Sequence, residues 1–231
     1  MNARRVLIVS TTVLAVTLAV AAVPAARTRA WGIYTRLRGR QTVDSVLASV
    51  GPAARARLPG MNPADTITLV AFKREKRLDV FAGAEGETPR LLKSYPILAA
   101  SGGPGPKTRE GDNQVPEGVY SVTSLNPNSA FHLALRLDYP NDDDLAAAKA
   151  EGRDLATLGG DIMIHGKAAS IGCLAMGDAA VEELFVLAAD IGPGRLRVLI
   201  LPHDPRSAPL TDPRPWVAAR YARLLNLLPE Q

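Results

Sequence analysis

The chain has 231 residues, 47% hydrophobic and 22% charged, which suits one ordinary domain with extensions and is too apolar for a disordered chain. Its single cysteine excludes an internal disulfide and a cysteine-built zinc site. The net charge of +4 does not describe the body: Arg4, Arg5, Arg27 and Arg29 lie in the first 30 residues without an acid, and the rest has no dense Lys/Arg cluster interleaved with aromatics, so the footprint of a nucleic-acid binder is missing.

Residues 1–5 are a basic leader, residues 6–23 an uncharged apolar run, and residues 23–26 a small-residue stretch in which Pro24 spoils the best cleavage frames. This order reads as a cleaved signal peptide or as an uncleaved anchor to the inner membrane, since about 18 apolar residues just span a bilayer. Either way the basic end stays cytoplasmic and the body is exported. Residues 31–64 form a linker with a helix around residues 43–48. Residues 66–72 (TITLVAF) predict a strand, 73–77 a charged turn, and 78–81 its hairpin partner. Residues 91–98 predict a third strand, with Pro96 marking an edge or an end. A Gly/Pro-rich loop covers 99–116. Strands follow at 117–125 and 131–137, and then a helix at 142–151 whose acids sit at its N-terminal end. Residues 161–165 predict a short buried strand, 178–189 an amphipathic helix capped by Asp178, and 195–201 a strong strand. Residues 204–231 hold a Pro-rich connector and a terminal helix. Strands dominate without a βαβ alternation, so the expected fold is mainly β with flanking helices, a mixed sheet or sandwich of the α+β kind.

The chemistry concentrates in residues 159–176. A buried strand delivers His165, a loop of small residues follows, and Gly172-Cys173 leads toward the helix at 178. A lone cysteine is either an inert buried side chain or a thiol in use. An exported compartment lacks a thiol buffer, which makes an idle free cysteine a liability. A thiol needs a base or a cation to become a thiolate at neutral pH, and His165 supplies one if the loop folds back. Gly172 leaves room for substrate, and a helix start just beyond Cys173 offers backbone N–H groups to an oxyanion. Ser170 can bond His165 or the loop. His132 at a strand start and His203 beside Pro202 and Asp204 read as structural. The spacing of His165, Cys173 and His203 matches no zinc pattern, so no metal and no cofactor are expected.

The run His165-Gly166-(three residues)-Ser170-x-Gly172-Cys173 resembles the signature of the L,D-transpeptidase catalytic domain of the YkuD type. The ending Gly172-Cys173-Leu174-Ala175-Met176 is similar to the YafK-like branch. So are the stretches from Gly105-Pro106-Lys107 to Gly111-Asp112, from Pro116-Glu117-Gly118 to Tyr120, and from Asn126-Pro127-Asn128 to Asn141. The likeness covers residues 66–201, which makes residues 65–203 the catalytic domain. It implies an L,D-transpeptidase-type mixed β-sandwich, with Cys173 as nucleophile and His165 as general base and acid. It also implies oxyanion donors around Gly172 and Cys173, Ser170 in support, and Gly166 and Lys107 as substrate-binding candidates. The implied substrate is a diaminopimelate-containing stem peptide of peptidoglycan, on the periplasmic or cell-wall side. Many members carry a second histidine where this chain has Ile171, and an arginine where it has Ala175. Transfer to an amine, YafK-like hydrolysis releasing an outer-membrane lipoprotein from peptidoglycan, a non-catalytic wall-binding module and an unrelated exported cysteine peptidase therefore remain as readings.

Overall fold

A computed structural model of the chain describes residues 39–58, 65–84 and 86–229. The expected export segment, and residues 31–38 and 59–64 of the linker behind it, lie outside the described residues. Thr42–Gln231 is one compact unit. It opens with α1 (Val43–Ala56), started by a capping box in which Thr42 Oγ1 accepts from the Ser45 amide and Ser45 Oγ from the Thr42 amide. Among the described residues, no helix is long and apolar enough to cross a membrane.

Among the described residues, nine strands make one mixed sheet: β1 (Thr66–Phe72), β2 (Arg77–Gly83), β3 (Arg90–Pro96), β4 (Ala99–Ala100), β5 (Gly118–Ser129), β6 (His132–Leu137), β7 (Met163–His165), β8 (Leu174–Ala175) and β9 (Leu196–Leu201). Their order is β3-β2-β1-β9-β5-β6-β7-β8-β4. The β1–β9 and β7–β8 pairs are parallel and the others antiparallel. Two features curl this sheet. β5 pairs with β9 through its first residues, Gly118 to Ser121, and with β6 through the remainder, so it turns the corner between the two halves. The chain then leaves the edge strand β3 and enters the opposite edge strand β4 after only Ile97 and Leu98. Ile97 N donates to Lys76 O on the first half and Leu98 N to Ala175 O on the second. Two residues span less than about 10 Å, so the two edges of the sheet meet there.

The curl encloses the main core. Ile67, Leu69, Leu78, Val80, Tyr120, Val198 and Ile200 from one half meet Leu133, Leu135, Ile164 and Leu174 from the other. The helix α3 (Asp178–Ile191) adds Val181, Leu184, Phe185 and Ala188. The outer face of the first half is covered as well: Val70, Phe72, Phe81, Leu199 and Leu201 pack on Val217, Tyr221 and Leu224 of the terminal helix α4 (Pro215–Leu227). A strand buried on both faces reads as an unbroken apolar run, which is why TITLVAF predicts β1 to the residue. A further helix, α2 (Asp142–Ala150), is capped by Asn141.

Two local expectations are corrected. β5 runs on to Ser129, through Pro127, which a register shift between Asn126 and Ser129 accommodates. Asp178 is the first residue of α3, not its cap: Gly177, at φ +79°, precedes it without a side-chain cap. The charged turn expected at 73–77 forms, and its first residue, Lys73, is buried.

Candidate active site

β7 ends in His165, and residues 166–173 fold back so that β8 runs parallel beside it, with Ile164 opposite Leu174 and His165 opposite Ala175. The return is tight and needs small residues. A Cβ on Gly166 would sit 2.6 Å from Phe131 O and 2.7 Å from Asp178 Oδ1, and Gly172 holds φ +129° against Gln114 O. The loop is pinned to the start of α3. Asp178 accepts from the Lys167 amide at 3.0 Å and pairs with the Lys167 ammonium, while Met176 N donates to His165 O and Gly177 N to Lys167 O.

His165 is buried at 3% exposure. Its Nδ1 lies 2.6 Å from Gly166 O. A carbonyl oxygen only accepts, so Nδ1 carries the proton and Nε2 of the neutral ring is left as the base. Burial pushes this imidazole below its ordinary pKa. The Phe131 ring lies against it, with centroids 4.6 Å apart.

Cys173 is half-buried. Its Sγ lies 3.7 Å from Asp161 O, to which the thiol donates, and it accepts from the Met163 amide. Burial pushes the thiol up and the Asp161 carboxylate adds to the rise, while the Met163 amide and the Lys107 ammonium act the other way. The sulfur thus sits at the start of β7 and His165 at its end, roughly 7 Å along the strand. No hydrogen bond joins the two side chains.

The loop geometry differs from expectation in two respects. Cys173 does not stand at a helix start, because β8, Met176 and Gly177 separate it from α3. The Gly172 and Cys173 amides, expected to face an oxyanion, donate to Ser170 Oγ at 3.3 and 3.2 Å. Ser170 therefore bonds the loop and not His165. Its Oγ also donates to Cys173 O at 2.7 Å and meets Ser101 N and Oγ on the loop after β4.

Gly166 serves as the acceptor that fixes His165. Lys107 is buried and braces its own loop, donating to Arg109 O and Asp112 Oδ1, both at 2.7 Å. Ile171, beside the thiol, is 81% exposed. His132 Nε2 meets Glu182 at 2.8 Å, and His203 Nε2 meets Ala208 O at 3.0 Å, remote from the thiol in bonding. Among the described residues, no group of three His, Cys, Asp or Glu is placed to hold a metal ion.

Sequence reasoning missed two groups. Asp161, left-handed at φ +56°, carries its backbone carbonyl to the thiol and pairs with Arg136. Gly159-Gly160 ahead of it was the available signal for a turn there. The second group lies beneath the loop at 99–116, where Lys73 Nζ donates to Gly105 O, Val115 O and Glu117 Oε1. Tyr221 OH on α4 donates to the other oxygen of Glu117 at 2.6 Å.

YafK of Escherichia coli K12, provisionally named an L,D-transpeptidase, is 42% identical over 116 residues, which make up 49% of this chain and 44% of that protein. The same figures hold for YafK of the O157:H7 strain. The matched segment thus spans less than half the length of these curated relatives. Among solved structures, the helical cell shape determining protein Pgp2 of Campylobacter jejuni is 23% identical with a TM-score of 0.49, covering 71% of this chain and 56% of that one. L,D-transpeptidase 1 of Mycobacterium tuberculosis is 17% identical with a TM-score of 0.34, covering 59% and 62%. The profile of the YkuD family, described as the L,D-transpeptidase catalytic domain, matches residues 67–200, the stretch from β1 to β9 that carries both His165 and Cys173. The chain belongs to the YkuD-type L,D-transpeptidase catalytic domain family.

Proposed function

We propose that this protein is an exported cysteine acyltransferase that acts on diaminopimelate-containing stem peptides of peptidoglycan through a thioester on Cys173. One observation carries the reading: the fold-back of β8 on β7 sets a thiol beside a strand whose last residue is a neutral imidazole with a free Nε2. Family membership and the likeness to YafK support the substrate class. In the reaction, Sγ leaves the Met163 amide and the Asp161 carbonyl, gives its proton to Nε2 and attacks the carbonyl carbon of the stem peptide. A developing oxyanion is a stronger acceptor than a hydroxyl and draws the Gly172 and Cys173 amides away from Ser170 Oγ. The His165 imidazolium returns its proton to the leaving amine, and the thioester passes its acyl group to an amine or to water. With water as acceptor the same steps release a protein joined to the wall, an outer-membrane lipoprotein in the YafK-like reading. The work lies on the periplasmic or cell-wall side, with residues 6–23 as signal or anchor.

Incubation of the protein with muropeptides and with lipoprotein-linked sacculi, followed by mass spectrometry, tests this. New crosslinks or released peptides are expected from the wild type and none from Cys173→Ala; identical products from both sink the proposal. A wall-binding module without catalysis is the second reading, favoured by the raised thiol and its missing bond to His165. It requires that a carbapenem leave no covalent adduct on Cys173 by intact mass, and that Cys173→Ser still bind sacculi.

A further inference from the structure

Arg136 on β6 and Asp161 ahead of β7 form an ion pair at the candidate nucleophile. Arg136 Nη2 lies 2.8 Å from Asp161 Oδ1, although the two side chains remain 49% and 72% exposed. Both members are tied to the thiol through the backbone. Asp161 O stands 3.7 Å from Cys173 Sγ. Arg136 is the register partner of Met163, whose amide donates to that same sulfur. The pairing of Ala134 with His165 and of Arg136 with Met163 puts Arg136 and His165 on one face of the sheet, since residues two apart point the same way. A pair this exposed contributes little to stability. Left-handed backbone at a non-glycine residue such as Asp161 costs energy and concentrates at functional sites. The guanidinium has five donors, and a single exposed carboxylate leaves most of them to solvent.

We propose that Arg136 and Asp161 are the specificity pair for the zwitterionic D-centre of diaminopimelate, with Asp161 taking its ammonium and Arg136 its carboxylate. This rests on the function proposed above. The chemistry fits in kind and in reach. Diaminopimelate carries one charge of each sign on a single carbon, and the pair offers one of each. Five single bonds of about 1.5 Å separate the reacting carbonyl from that carbon, which places it roughly 6 Å away in an extended chain. The two residues satisfy each other when the site is empty and exchange that partner for the ligand when it is filled. A lysine-type stem peptide offers the ammonium without the carboxylate and leaves Arg136 unmatched.

The test compares three tetrapeptide donors: diaminopimelate, diaminopimelate with its D-centre carboxylate amidated, and lysine at the third position. Turnover by wild type, R136Q and R136K is followed by mass spectrometry. The wild type is expected to favour the free carboxylate about tenfold in kcat/KM, the scale of one charge-assisted hydrogen bond. R136Q is expected to lose about tenfold on that donor, chiefly through KM, to lose several-fold less on the amidated donor, and R136K to recover part of the difference. Equal losses of R136Q on both donors, or no loss on either while the wild type turns over, overturn the assignment. No turnover and no adduct on any donor with the wild type overturn the proposed function and this inference together.

Discussion

Burial acts on His165 and Cys173 in opposite directions, lowering the imidazole and raising the thiol, so at neutral pH both side chains are uncharged. The pair therefore rests as a thiol and a neutral base rather than a thiolate–imidazolium pair, and in the proposed reaction the proton moves only when substrate arrives. Two consequences follow for pH. Alkylation of Cys173 by iodoacetamide is expected to rise with pH with a midpoint above that of an ordinary thiol; a midpoint below pH 7 shows a preformed ion pair and sinks this account. In stability, the unfolded chain takes up a proton on His165 first as pH falls through about 6.5, and it gives up the Cys173 proton first as pH rises through about 8.5. Both groups thus subtract stability outside that window and neither does so inside it. Ser170 makes a separable contribution. Its hydroxyl links Gly172, Cys173 and Ser101, and Ser170→Ala is expected to cost about 1–2 kcal/mol in urea unfolding. It should lower turnover while leaving the alkylation midpoint near that of the wild type; a shifted midpoint would mean that Ser170 acts on the thiol itself.

The loop at 99–116 is held from below by one buried ammonium. Lys73 fixes Gly105, Val115 and Glu117; Val115 N donates to Ser101 O, and Ser101 bonds Ser170 beside the thiol. Lys73→Met leaves the Glu117 carboxylate at 0% exposure without its cation, and the expected loss is about 3–5 kcal/mol by urea unfolding. A loss under about 1 kcal/mol would show that water enters and solvates Glu117. The sequence reading placed Lys73 in a charged run and did not single it out, because nothing local separates it from Arg74, Lys76 and Arg77. Its partner lies 44 residues on, and a buried pair at that distance has no periodicity. Where one element carries its own signal, reading succeeds. β1 declares itself by an apolar run, α3 by its amphipathic spacing, and the return loop between His165 and Cys173 by its small residues. Where structure exists only through pairing, reading fails. β4 and β8 are two residues each and have no pattern of their own, and the contact of Asp161 with the thiol depends on a left-handed turn between a glycine pair and a strand.

At the scale of the whole molecule, the sheet of the first half is buried on both faces, and α4 supplies the outer cover from beyond the 67–200 match to the catalytic-domain family. Val217 and Leu224 are fully buried against Val70, Phe72, Phe81, Leu199 and Leu201. At about 1.5–3 kcal/mol for each large aliphatic side chain, these two alone contribute about 3–6 kcal/mol, against about 5–15 kcal/mol for a whole domain. α4 also completes a polar layer. Tyr221 donates to Glu117, and Arg220 donates to Glu117 O at 2.9 Å and to Asp144 at 2.8 Å, so its removal leaves buried carboxylates short of donors. A chain ending at residue 213 is therefore expected to lose the cooperative unfolding transition of the full chain and to expose apolar surface that binds a hydrophobic dye. Cys173 should then become as reactive as a free thiol, because the loop that meets Ser170 and Gly172 beside it hangs from the same Glu117–Lys73 layer. Circular dichroism through a urea titration, read beside the alkylation rate of Cys173, checks both effects on one sample. If the truncated chain unfolds at the same urea concentration and keeps its slow thiol, α4 is an appendage to a domain that stands without it, and the two-sided burial of β1 and β9 does not govern the stability of the site.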